Sequence, residues 1–167
     1  KDGNPIPPEQ FENEWNGQNF SAMRDAIDTF IRGAAAKNPD SPLQGGLVIF
    51  AAGNDGDVYG DAAIYPAAYS PIIAVGSMDW GFRPAYYTDY GSWVDITAPG
   101  GDAYTAQSVI DKKYYTNGMV MSTILCDDTM DYQDGRKDDD YWYGYGFMQG
   151  TSMACPHVSG VAALGLS

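Results

Sequence analysis

Gly46-Leu47-Val48-Ile49-Phe50-Ala51-Ala52 is an unbroken run of apolar and small residues that stops at Gly53-Asn54-Asp55-Gly56. A strand with one wet face alternates apolar and polar side chains. A continuous run fits a strand covered on both faces, as in a parallel sheet. Two more runs follow, Ile72-Ile73-Ala74-Val75-Gly76 and Trp93-Val94-Asp95-Ile96, the second halted by Ala98-Pro99-Gly100. Upstream, Ala22, Met23, Ala26, Ile27, Phe30, Ile31 and Ala34 recur at helical spacing, with Arg24, Asp25, Asp28 and Arg32 on the opposite face. That pattern predicts an amphipathic helix with Ser21 as its N-cap, broken by Asn38-Pro39-Asp40-Ser41-Pro42. A helix followed by strands buried on both faces makes an α/β layered domain.

The rest of the chain is less regular. Residues 1–20 are rich in Pro, Asn, Gln and Glu without a period, and read as a loop or linker. Residues 101–149 hold many Tyr, several Met and an acidic stretch from Asp127 to Asp140. They read as a long surface insertion containing a hairpin. The final stretch, Thr151 to Leu166, reads as a helix despite Pro156, and the natural chain is expected to continue beyond Ser167. The start at Lys1, without an initiator Met or a signal peptide, reads as a cleavage product or an excised segment. No repeat of the solenoid type occurs.

Charge narrows the partners. With 22 acidic against 9 basic residues, the formal net charge is −13. Nucleic acid and anionic membrane surfaces both call for clustered Lys and Arg, so neither is expected. No apolar run approaches the roughly 20 residues that span a bilayer. The acidic balance suits an exported protein. Two cysteines, Cys126 and Cys155, allow one disulfide, although Cys155 reads as a buried free thiol.

Gly150-Thr151-Ser152-Met153-Ala154-Cys155-Pro156-His157-Val158-Ser159-Gly160 holds the chemistry. A Ser at a helix start is ordinarily a cap, yet the same place favours a nucleophile, because free N–H groups and the helix dipole stabilise a developing anion. The whole stretch resembles the serine motif of the subtilisin family, Gly-Thr-Ser-Met-Ala-x-Pro-His-Val-x-Gly. Ala51-Ala52-Gly53-Asn54-Asp55-Gly56 resembles the family's oxyanion segment. Tyr65-Pro66-Ala67-Ala68-Tyr69 with Ile72–Gly76, and Ala98-Pro99-Gly100, resemble two further family segments. The likeness covers about residues 20–100 and 147–167.

The resemblance implies a three-layer α/β domain with a mainly parallel sheet, present as an incomplete C-terminal portion of a serine endopeptidase. It implies Ser152 as nucleophile and Asn54 as oxyanion donor. Ala51, Ala52, Gly53, Asp55, Ile64 and Thr151 fall where the family binds its polypeptide substrate. Asp55 and Ile64 would border the P1 pocket, so an acidic group there favours basic P1 residues. A cis Tyr65–Pro66 bond is implied too. No cofactor is required for the chemistry, and a structural calcium or sodium ion is implied at the carbonyls of Ala67, Tyr69 and Ile72 with Asp95. The acidic residues Asp127, Asp128, Asp131, Asp134, Asp138, Asp139 and Asp140 are a weaker calcium candidate, without EF-hand spacing. From the acidic balance, an extracellular or cell-envelope (periplasmic) location is expected.

One departure stands out. The family's triad runs Asp, His, Ser, and the single histidine here is His157. Five residues past Ser152 on one helix, it lies about 7.5 Å further along and about 140° around, so it cannot act as the base. The expectation is that the triad Asp and His belong to upstream sequence of the same domain, and that this chain alone is inactive. The rival expectation is a non-catalytic fragment or pseudoenzyme that serves as a peptide-binding or structural module.

Overall fold

The computed structural model describes residues 7–34, 38–104, 118–127, 135–138 and 141–167. Helix α1 spans Pro8–Asn16, and a single 3-10 turn, Gln18–Phe20, leads into α2, Ser21–Gly33. The loop expected over residues 1–20 is therefore a helix over much of its length. Polar composition hid it, because one face suffices to anchor it. Trp15 is buried and stacks on Tyr65, with ring centroids 5.5 Å apart. Phe11 meets the ring of Tyr59 edge-on at 5.2 Å. Pro8, lacking an N–H, suits the first turn. Ser21 is not a cap: its hydroxyl donates back to the Gln18 carbonyl at 2.8 Å and ties α2 to the preceding turn.

Strands β1 (Ile49–Ala51), β2 (Ile73–Met78) and β3 (Ile96–Pro99) form a parallel sheet with β2 in the middle, and the short helix α3 (Gly56–Tyr59) follows β1. Ile49 aligns with Ile73, and Val75 with both Ala51 and Ile96. The third strand begins later than its apolar run. Asp95 Oδ2 accepts the Ala74 N–H at 2.8 Å, and Val94 closes a turn onto Gly91, so Trp93–Asp95 shape the entry to the strand.

Alternation along the strands builds two cores. Val75, Ala98 and Ala154 are buried on one face with Ile49, Ile73, Cys155 and Val158, beneath the last helix, α4 (Thr151–Gly165). On the other face Trp15, Ile27 and Ile72 gather Phe20, Ile31, Val48, Phe50, Tyr65 and Tyr69. Helix, sheet and helix thus make three layers, as expected. The Tyr65–Pro66 bond is cis, also as expected.

The insertion holds a second sheet. Strands β4 (Val120–Asp127), β5 (Gly135–Asp138) and β6 (Tyr141–Met148) pair antiparallel in the order β4-β6-β5, with Val120 opposite Met148. The β5–β6 pair is the expected hairpin. Among the described residues, no helix is long and apolar enough to cross a membrane.

Candidate active site

Ser152 sits in the first turn of α4, exposed to solvent. The residue before the helix, Gly150, has φ +147° and offers no side chain to cap it. The first N–H groups of the helix therefore look elsewhere for acceptors. Met153 and Ala154 donate to the Gly150 carbonyl, and Thr151 donates its N–H to Asn54 Oδ1 at 2.9 Å. The Ser152 N–H has no acceptor among the described residues. Pro156, four residues on, has no N–H with which to reach the Ser152 carbonyl.

Asn54 comes from the loop between β1 and α3. Its Oδ1 takes two donors, the Thr151 N–H and the Thr151 hydroxyl at 3.0 Å. Those bonds identify the oxygen and leave Nδ2 on the outer side, where it has no acceptor among the described residues. The Thr151 Oγ1 in turn accepts the Gly53 N–H at 3.2 Å. One buried hydroxyl thus locks the loop to the serine helix. A methyl placed on Gly150 would stand 3.6 Å from Asn54 Nδ2 and 3.7 Å from the Ser152 N. Two donors without acceptors among the described residues thus border one small volume at Gly150, next to Ser152, an arrangement suited to a developing oxyanion.

The loop is also held from behind. Gly56 donates its N–H to the Tyr87 carbonyl at 3.1 Å, and the Gly53 carbonyl accepts the Asp89 N–H at 3.1 Å. The Asp55 N–H donates to Asp89 Oδ1 at 3.0 Å. Asp89 is only 2% exposed, and its Oδ2 is buried without a partner among the described residues. Burial, aided by the nearby negative charges of Asp55 and Asp57, pushes its carboxyl up to about 6 against the Asp55 N–H that favours the anion. Beneath this loop the Tyr87 hydroxyl pairs with Ser77 Oγ at 2.8 Å and donates to the Gly101 carbonyl. Burial raises the Tyr87 pKa. Sequence reasoning passed over Asp89 and Tyr87. The signal available was a lone acid after three aromatic or β-branched residues, Tyr86-Tyr87-Thr88, between two buried strands.

The other expected site residues fall as follows. Ala52 and Thr151 are buried, with 1% exposure each, so the Thr151 side chain faces Asn54 and Gly53 instead of the surface. Ala51 ends β1, Gly53 takes φ +126°, Asp55 is exposed and Ile64 is half-buried. The Ile64 carbonyl accepts from Ala68 and that of Tyr69 accepts from Ile72. Ala67 and Ile72 are buried. Among the described residues no group of three or more His, Cys, Asp or Glu gathers as a metal site. Asp128, Asp131, Asp134, Asp139 and Asp140 lie outside the described residues, as do the side chains of Asp127 and Asp138. His157 Nδ1 lies 2.8 Å from the Met153 carbonyl, one helical turn back. A groove of about 300 Å³ next to the serine is lined by Val120, Met121 and Ser122 of β4 and by Met153, Pro156 and His157 of α4. Cys155 carries a free, half-buried thiol against the Ile49 carbonyl, and burial raises its pKa.

Comparison with known proteins identifies the family. The model of the Subtilase family matches residues 11–167. A thermophilic serine proteinase of Bacillus sp. (strain AK1) is 36% identical over 121 residues, 72% of this chain and 21% of that protein. The major intracellular serine protease of Bacillus subtilis (strain 168) is 34% identical over 165 residues, 90% of this chain and 41% of that protein. Among solved structures, a protease from Pseudoalteromonas arctica PAMC 21717 aligns with a TM-score of 0.58 at 34% identity, covering 86% of this chain and 34% of that one. The chain thus spans well under half the length of these relatives.

Proposed function

The chain belongs to the subtilase family, and we propose that it supplies the nucleophile and oxyanion hole of a serine endopeptidase that cleaves polypeptides through an acyl-enzyme. The observation that carries this reading is the pair of free donors, Asn54 Nδ2 and the Ser152 N–H, bordering one volume beside the Ser152 helix start.

In the proposed reaction Ser152 Oγ attacks the scissile carbonyl carbon and gives up its proton to a histidine. The carbonyl oxygen becomes an oxyanion that accepts from Asn54 Nδ2 and the Ser152 N–H. Collapse breaks the C–N bond as the histidine returns the proton to the leaving amine, and water then hydrolyses the ester by the same route. We assign the histidine and its aspartate to the upstream portion of the same domain. His157, the single histidine of this sequence, is held on its own helix at Met153. The groove shared by β4 and α4 supports the reading that the insertion to which β4 belongs sits beside the substrate cleft.

A structural sodium or calcium ion at the carbonyls of Ala67, Tyr69 and Ile72 with Asp95 belongs to the same reading. The donor set is all oxygen, which suits these hard cations. One Asp95 oxygen already accepts the Ala74 N–H and the Tyr69 carbonyl already accepts from Ile72, so an ion here would share these oxygens with existing hydrogen bonds. Export to the cell envelope or medium rests on the net charge of −13. Relatives with extracellular and with intracellular names both occur.

One observation favours a second reading, peptide binding without cleavage: no histidine besides His157 is present in this sequence. A fluorophosphonate probe separates the two, because it reports an activated serine directly. The full-length protein should label at Ser152, Ser152→Ala should abolish the label, and residues 1–167 alone should stay unlabelled. A full-length protein that folds but never labels would establish the non-cleaving reading.

A further inference from the structure

Thr151 holds the Asn54 loop from the front, and that contact lies within the serine motif. The back of the same loop rests on a residue that no motif marks. Asp89 makes two bonds to it across 34 positions of sequence or more: its N–H donates to the Gly53 carbonyl at 3.1 Å, and its Oδ1 accepts the Asp55 N–H at 3.0 Å. These bonds flank Asn54 on both sides in sequence. Gly53 runs at φ +126°, and a Cβ added there would overlap Asp89 Oδ2, so the carboxyl fills the space beneath the loop. A buried carboxyl with one oxygen unpartnered among the described residues is costly. A neutral residue of the same size would avoid the charge, so packing alone does not account for it.

We propose that Asp89 is a positioning residue for the oxyanion hole, its carboxylate latching the Gly53–Asp55 backbone so that Asn54 Nδ2 is held in place before the transition state forms. This rests on the peptidase reading for its catalytic consequence, although the latch itself is a property of the fold. A carboxylate is a stronger acceptor for the Asp55 N–H than a neutral oxygen would be, and the bond runs at 3.0 Å. The ionisable groups bearing on Asp89 are Asp55 and Asp57, both acidic, and they oppose its ionisation. The latch should therefore loosen as pH falls through the range in which Asp89 takes up its proton.

The test has two arms in the full-length protein. In the first, steady-state kinetics on a peptide substrate compare Asp89→Ala, Asp89→Ser and Asp89→Asn, alone and combined with Asn54→Ala. The alanine and serine variants should lose tenfold or more in kcat with KM within about twofold, because an oxyanion donor acts on the transition state more than on bound substrate. Asn keeps an acceptor at Oδ1 but not the charge, so it should recover only part of the rate, between Ser and the parent. In the Asn54→Ala background, removing Asp89 should cost less than twofold. Equal rates for Asp89→Ser and the parent would overturn the proposal, and so would a loss that persists in full without Asn54. The second arm needs no activity. In the Ser152→Ala protein, the Asp55 backbone amide is followed by NMR between pH 4 and 8. A titration with midpoint about 6 that vanishes in Asp89→Asn supports the latch. An Asp55 amide indifferent to Asp89 overturns it. Failure of the wild type to label with fluorophosphonate would instead overturn the peptidase reading.

Discussion

Thr151→Val isolates one oxygen atom. Valine keeps the shape of threonine and removes Oγ1, which in the buried original accepts the Gly53 N–H and donates to Asn54 Oδ1. Two consequences can be given sizes. The Gly53 N–H loses its acceptor in a half-buried loop, which costs about 1–3 kcal/mol of stability. Asn54 keeps a single tether, the Thr151 N–H at 2.9 Å, so its amide can swing and Nδ2 is in place only part of the time. Complete loss of such a donor costs roughly a hundred- to a thousandfold in kcat, or about 2.7–4 kcal/mol, a figure measured in subtilisin itself and so belonging to this family's archetype. With one tether of two left, a tenfold to hundredfold drop in kcat is expected, with KM little changed. Thr151→Ser retains the hydroxyl and should retain most of the rate. Peptide kinetics on the full-length protein, with denaturant melts of each variant, measure both effects. A raised KM at unchanged kcat would refute the reasoning, since it would mean that Thr151 contacts the substrate directly, as the motif by itself implies.

Three further outcomes are expected. Gly53→Ala must adopt φ +126° with a Cβ that overlaps Asp89 Oδ2, so it should lower stability by several kcal/mol or prevent folding; a melt within 1 °C of wild type would contradict this. Asp89 releases its proton at about 6 when folded and at the ordinary 3.8 when unfolded, so the folded state binds the extra proton between those values. Stability should then fall as pH rises from about 4 to about 6, by at most roughly 3 kcal/mol, and level off above; denaturant midpoints in Asp89→Asn should lose this component. Residues 1–167 expressed alone should associate, because among the described residues one edge of β1 is unpaired and an apolar groove of about 500 Å³ opens beside it, lined in part by Phe30, Leu43, Leu47 and Leu166. A monodisperse monomer in sedimentation would contradict that.

What could be read from the sequence was what lies within a few neighbouring residues. The unbroken apolar runs marked β1 and β2 because a strand buried on both faces needs apolar residues at every position, and helix α2 showed through its period. Ser152 and Asn54 each sit in a contiguous motif whose letters are local. The tertiary structure decided the rest. Helix α1 is held by Phe11 and Trp15 against rings more than forty positions away, so its polar composition concealed it. Asp95 delayed β3 by bonding Ala74, a choice that depends on which strand lies beside it. The pairing of Thr151 with Asn54 spans 97 positions, and that of Asp89 with Asp55 spans 34. A polar side chain can satisfy many partners, and its residue type does not say which. The packing of three layers chooses among them, by bringing one backbone N–H or one carbonyl within reach and burying the alternatives.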